Sequence, residues 1–500
     1  MKTLLSNSNS NRISKDKLWI ILLASFIFTL SANVRASSPD EDSNLVRLPN
    51  VDLAFVAQPL KNTRLEQRVI ELEQQLFDVQ CLLEQNAETT QPAFSNVVAP
   101  ASYHSPVMSA HNQNWSDRRF RRSGYPTVAW GGFLQLDTGL VTQNTASKAA
   151  FGNVDAQTGL RRVRVNVRGN VQEHLSYLID VDFAASGHPS FRDVIFTSHD
   201  LDVVQNLQTG YYQQPFGLDA MTSGRELIFL ERLLPFAFDP FRQTGFGCYG
   251  TAFEESATWA LSAYRFPTDE FGVSEGNSGG WALASRNTAK LIDNNGGDEM
   301  VHVGLNYSVG DPGTNEVRYA IQPGFFVTDP TDPDTDSNIP VIVDTGNIPT
   351  QVFNLFGVEL AAQFGSLNFQ SEVKGSVVDQ IGGPTLGFWG GYVQLSWVLT
   401  GEVRPYDNER GTFRRVVPFH DGTVGHPSLG AWEIAGSLAR IDLNSNNIAG
   451  GVANSAIIGI NRYLSRYVKF QFNVIRTLTD DPTFGDTATT IVAMRSQAEF

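Results

Sequence analysis

The stretch LRRVRVNVRG, residues 160–169, places four arginines in ten positions. Side chains alternate along a strand, so Val163, Val165 and Val167 would share one face and Arg162, Arg164, Asn166 and Arg168 the other. A soluble sandwich buries the valines and wets the arginines. A membrane barrel turns the valines to lipid and the arginines to its interior, because guanidinium against hydrocarbon costs about 2–4 kcal/mol each near the midplane. The choice between these two placements decides the fold.

Similar alternation recurs along the chain. TVAWGGFLQLDTGLV (127–141) sets Val128, Trp130, Leu134, Leu136 and Leu140 against Ala129, Gln135 and Asp137. HLSYLIDVDFA (174–184) sets Tyr177, Ile179, Val181 and Phe183 against Asp180 and Asp182, and VHVGLNYS (301–308) and YVKFQFNV (467–474) repeat the pattern. Turn-rich pieces such as GDPGTN separate such segments. This is the signature of a transmembrane β-barrel, although sandwiches and propellers also alternate. Three features favour the barrel. An export signal precedes the segments, and aromatics such as Trp130, Tyr177, Tyr307 and Trp397 sit on the apolar face. The chain also closes on TIVAMRSQAEF, with Val492, Met494, Ala498 and Phe500 on one face of a final strand. A last strand ending on an aromatic residue looks like the insertion signal of bacterial outer-membrane proteins.

The region before the barrel divides by composition. Lys15 and Lys17 precede the apolar run 18–32, and VRA ends at Ala36, so residues 1–36 read as a signal peptide. No later run is apolar for the ~18 residues that a spanning helix needs. Residues 37–59 form a flexible leader. Over residues 60–86, Leu65, Val69, Leu72, Leu76, Val79 and Leu83 recur at alternating spacings of four and three, the seam of a coiled coil that oligomerises. Residues 87–126 are rich in Pro, Ser, Ala and Asn and read as a linker. The barrel occupies residues 127–500.

Longer motifs then carry a family resemblance. GYYQQPFGLDAMTSGRELIFLER (210–232), followed by FDPFRQTGFG (238–247), resembles the most distinctive segment of the phosphate-selective porin O/P family. In that family a strand ends in a Gly-x-x-x-x-Pro-Phe turn and the chain enters a loop folded into the pore. YVQLSWVLTGEVRPYDNERGTFRRVVP (392–418) and GAWEIAGSLARIDL (430–443) look like two later signature strands, and 356–373 fits as well. The resemblance implies an all-β, antiparallel barrel of about sixteen strands that assembles as a homotrimer in the outer membrane, with the coiled coil in the periplasm. It implies pore-lining roles for Arg162, Arg164 and Arg168 and places Arg225, Arg232 and Arg242 in the constriction-loop region.

Function classes narrow accordingly. A formal net charge of −15 disfavours a nucleic-acid partner. The two cysteines, Cys81 and Cys248, have no metal-ligand spacing, and no metal or other cofactor is expected. The eight histidines sit in no nucleophile constellation, so an enzyme is not expected. DPTDPDTDSN (329–338) reads as a solvated loop rather than a calcium site. The expectation is an outer-membrane porin for passive diffusion of small anions or polar solutes, with phosphate selectivity as its finer form. The alternative is a structural or adhesive outer-membrane barrel anchored through its coiled coil.

Overall fold

From Ala129 onward the alternating segments form sixteen antiparallel strands. The first eight are β1 (Ala129–Gln143), β2 (Gln157–Gln172), β3 (Leu175–Asp182), β4 (Ser190–Leu201), β5 (Gln205–Gln213), β6 (Arg242–Ala252), β7 (Ala257–Phe266) and β8 (Gly280–Asn294). The rest are β9 (Glu299–Gly310), β10 (Ile348–Phe364), β11 (Leu367–Gln380), β12 (Thr385–Val398), β13 (Ala431–Ser445), β14 (Ile448–Tyr463), β15 (Val468–Asp481) and β16 (Gly485–Glu499). The computed structural model describes residues 124–184, 189–268, 280–294, 297–327, 339–422, 430–481 and 485–500. The signal peptide, leader, heptad segment, most of the linker and the acidic piece 329–338 lie outside the described residues.

Each strand pairs with the next, and β16 returns to β1 over the register from Phe133 opposite Glu499 to Gln143 opposite Thr489. Phe500 extends the seam: its carbonyl accepts from Gly132 N–H at 3.0 Å and its N–H donates to the Gly132 carbonyl at 3.1 Å. A Cβ at position 132 would run into the Arg164 carbonyl on β2 and then the Phe500 ring, so glycine lets β2 and the terminal aromatic approach together at the closure. The closed ladder satisfies the strand backbone without an edge, which is what a hydrocarbon environment demands.

Burial is inverted relative to a soluble protein. On β1, Gln135 and Asp137 are buried while Leu134, Leu136 and Leu140 are exposed. On β16, Arg495 and Gln497 are buried while Val492 and Met494 are exposed. Apolar side chains therefore cover the outside and polar ones fill the inside, which decides the placement that LRRVRVNVRG left open. Trp389 and Trp397 of β12 both face outward, about 26 Å apart along the strand at ~3.3 Å per residue, as aromatic girdles at two interfaces would.

Among the described residues, connections 214–241, 311–327 with 339–347, and 399–422 fold inward instead of outward. Phe216, Phe229, Leu230 and Phe238 of the first join Phe325 and Val343 of the second in one buried core with inward Leu355, Ile441, Ile457 and Ile491 of the wall. Gly139 on β1 leaves the space that the Phe325 ring occupies. Connections 173–174, 202–204, 253–256 and 365–366 are short and share one end of the barrel with both ends of the strand order. Short turns mark the periplasmic end. Segment 399–422, which turns inward, is the exception at that end.

Candidate functional site

The arginine row on β2 is bent by one residue. Gln135 pairs with Arg162 and Leu136 with Leu160, so Arg161 is the extra residue of a β-bulge. Strict alternation would send Arg161 to lipid; the bulge brings it inside beside Arg162, and both are buried. Arg164 is also buried and inward, and Arg168 lies on the same face opposite Leu178. The three arginines predicted for the interior share it with a fourth.

Two of the four are engaged by the first inward loop. Arg162 donates to Gln135 Oε1 at 2.7 Å and to Glu231 Oε2 at 2.8 Å. Arg161 donates to Glu231 Oε1 at 2.9 Å. Arg495 of β16 reaches the same Glu231 oxygen at 2.7 Å and grips Asp137 bidentately at 2.7 Å. Burial disfavours a charge on Glu231, but Arg161, Arg162 and Arg495 outweigh it and hold the carboxyl well below its ordinary range. Arg164 instead pairs with Asp182 on the next strand at 2.9 Å. Asp180, on the same strand face, lies opposite Asn166 and Asp193.

Loop 214–241 is pinned to the wall at further points. The N–H groups of Leu218 and Asp219 donate to Glu372 at 2.7 and 2.9 Å, and Leu230 N–H donates to Asn473 Oδ1 at 2.9 Å. Lys374 pairs with Asp239 at 2.6 Å. Within this frame Arg225 and Arg232 belong to the loop, whereas Arg242 is the first residue of β6. Arg232 donates to the carbonyls of Asp219, Ala220 and Thr222 at 3.1, 3.1 and 2.7 Å. Its guanidinium lies over Phe236 and Phe241, 5.0 and 5.5 Å from their centroids. Carbonyls and rings orient this cation without neutralising it. Arg225 sits 5.9 Å over Phe133 and 3.8 Å from Glu499. Arg242 pairs with Asp193 at 3.2 Å.

The second set of cations was not legible as such. Residues 392–418 resemble a signature strand, but the strand stops at Val398 and the remainder enters the lumen. Arg286 of β8, itself paired with Glu359 at 2.7 Å, donates to the carbonyls of Arg410 and Gly411 at 2.7 and 2.8 Å. His302 Nδ1 meets Tyr406 Oη at 2.7 Å, and Lys290 donates to Asn408 at 2.9 Å. The segment thus crosses from β12 to β8 and β9, carrying Arg404, Arg410, Arg414 and Arg415 inside. Arg404 pairs with Glu433, and Arg414 with Asp407 at 2.6 Å. Four arginines within 404–415, interrupted by Pro405 and Gly411, are too polar and too broken for a strand in lipid; that was the available signal.

Between the two loops and the β1–β8 side of the wall lies a cavity of about 180 Å³. Arg164, Arg225, Arg232, Arg242, Arg286 and Arg410 line it, against the carboxylates of Asp180, Asp193 and Glu409. Burial, together with the charges of Asp407 and Glu255, pushes the Glu409 carboxyl up to about 7. What such a lumen does is let small molecules through, and a barrel that does this in the bacterial outer membrane is a porin, a channel rather than an enzyme.

Comparison with known proteins supplies the lineage. Residues 140–500 match the family described as phosphate-selective porin O and P, and the chain belongs to that family. Porin O of Pseudomonas aeruginosa is 23% identical over 380 residues, covering 70% of this chain and 82% of that protein. An uncharacterized protein of Caulobacter vibrioides is 22% identical over 392 residues, 74% of this chain and 72% of its own. Among solved structures, an anion-selective porin from Comamonas acidovorans superposes with a TM-score of 0.45 at 10% identity, over 75% of this chain and 99% of that one. The outer membrane channel DcaP of Acinetobacter baumannii superposes with a TM-score of 0.45 at 12% identity and the same coverage.

Proposed function

We propose that this porin is selective for small anions and favours phosphate-type oxyanions. The observation that carries the reading is the lining of the cavity, six arginines against three carboxylates, in a chain whose formal net charge is −15. What a passing ion feels is the inward charge, not the total. Arg164, Arg225, Arg232 and Arg242 line the passage, with Arg286 and Arg410 as additions. Arg162, with Arg161, holds the constriction loop through Glu231, and Arg168 continues the row toward the periplasmic end. Arginine suits the task because its planar fork pairs two oxyanion atoms and stays charged. Conduction also demands that each site release its ion, which the exposed edges of a stacked guanidinium allow. The family's description as phosphate-selective supports the finer form of the reading.

In the same reading residues 1–36 direct export, and residues 60–86 stand in the periplasm as the stalk of a homotrimer. The reversal potential of single channels in a potassium chloride gradient tests the selectivity. Wild type should prefer chloride, and Arg225→Glu with Arg410→Glu should move the potential clearly toward potassium. An unchanged potential in a correctly inserted variant would remove these arginines from the ion's path.

A further inference from the structure

One part of the cavity wall is apolar. Leu178, Ile195, Tyr212 and Tyr249 point inward from β3, β4, β5 and β6 and pack into one buried cluster, with Ala260 of β7 against it. All five line the same cavity as the arginines. The other apolar clusters of the described residues each include residues of an inward loop: Phe229 and Phe325 in the largest, Leu218 and Phe413 in another, Val416 in a third. This cluster includes none. Its side chains are largely buried against one another, and they line the cavity with no apolar loop residue in the cluster.

Register places this apolar ground beside charge. Leu178 is directly opposite Ile195, and the next inward pair along the same two strands is Asp180 with Asp193, the latter held by Arg242. Two residues along a strand span about 7 Å, the width of an aromatic ring with its substituent. Arg225, Arg232 and Arg410 line the same cavity. A molecule carrying an oxyanion at one end and a ring-sized apolar group at the other would satisfy both surfaces at once. Inorganic phosphate satisfies only one.

We infer that the cavity is a binding site for amphipathic organic anions, specifically phosphate monoesters of an apolar, ring-sized alcohol. The head is taken by the guanidinium groups, and the apolar group lies against Leu178 and Ile195 with the Tyr212 and Tyr249 rings beside them. The inference rests on the anion-selective reading above and adds the substrate class to it. Tyr212 is oriented by its 2.8 Å hydrogen bond to Ser262, which fixes one ring of the apolar ground.

The test is block of the chloride current through the full-length channel in planar bilayers by two probes with the same head group, methyl phosphate and phenyl phosphate. Phenyl phosphate should half-block at a concentration about tenfold lower, as burial of a ring in an apolar pocket predicts. In L178S/I195S that preference should fall below about twofold, while methyl phosphate block and chloride conductance stay as in wild type. Should the double variant fail to insert, Ile195→Thr keeps the shape and should lose a substantial part of the preference. Equal block by the two probes in wild type overturns the inference, as does a preference that survives both substitutions. A wild-type channel that prefers potassium overturns the anion reading and this one together, whereas chloride preference with equal block overturns only this one.

Discussion

Arg161, Arg162 and Arg495 converge on one carboxylate, Glu231, and through it the constriction loop is tied to β2 and β16. Buried charges of one sign survive only with a partner, and removing the partner costs about 3–5 kcal/mol. Glu231→Gln keeps the shape and removes the charge. Its expected result is a barrel that melts at lower temperature and a single-channel conductance above wild type, because the loop no longer holds its place. Conductance and melting that match wild type would show that the loop's other contacts hold it without the Glu231 charge. Glu409 makes a different prediction. With its carboxyl pushed up to about 7 by burial and by the charges of Asp407 and Glu255, it is ionised at pH 8.5 and neutral at pH 5.5. Falling pH removes a negative charge from the cavity lining, so chloride preference should rise between those values. In Glu409→Gln the reversal potential should already sit at its low-pH value and move much less with pH.

The inward segment 399–422 links chemistry to an element that sequence alone misassigns. The other connections between neighbouring strands at that end are short turns such as 173–174 and 365–366. Replacing 403–416 by a short Asn-Gly turn should therefore leave β12 and β13 paired along their existing register. The channel should still assemble, judged by its heat-modifiable band. Conductance should rise severalfold and chloride preference should fall, since Arg404, Arg410, Arg414 and Arg415 leave the lumen with the segment. A normal conductance would mean that 403–416 lines no part of the passage. The bulge at Arg161 belongs to the same level: one inserted residue moves a cation from lipid to lumen, where it meets Glu231.

The closed barrel depends on its last strand. Phe500 pairs with Gly132 and covers the seam between β16 and β1. Deleting Phe500 removes two backbone hydrogen bonds and the ring across the closure, so less protein should reach the outer membrane and the heat-modifiable band should weaken. Normal assembly of the shortened chain would count against a role for the terminal aromatic. The trimer proposal has its own test at this level. Leu72→Asp with Leu76→Asp puts charge into the heptad seam, where it is costly without a partner, and should reduce trimers in cross-linking while monomer conductance persists.

Period-two alternation together with the export signal, the aromatic placement and the terminal strand was enough to read an all-β membrane barrel, because lipid outside and water inside impose one pattern on strand after strand. The inward face of Arg162, Arg164 and Arg168 was legible for the same reason: Val163, Val165 and Val167 accept lipid and arginine does not. The sequence could not say that Arg161 would join them, since a bulge is set by the register against β1 and leaves the local alternation ambiguous. Nor could it say that 399–418 turns inward: four arginines with Pro405 and Gly411 argue against a strand but fit an inward and a solvated loop equally, and only contact with Arg286, His302 and Lys290 decides. Which arginines stay available and which are taken is likewise tertiary. Arg164 meets Asp182 across one strand pair, but Arg162 meets Glu231, 69 residues away, only after the loop has crossed the lumen. Pairing across such separations depends on where the closed barrel brings the chain back, and no local pattern records it.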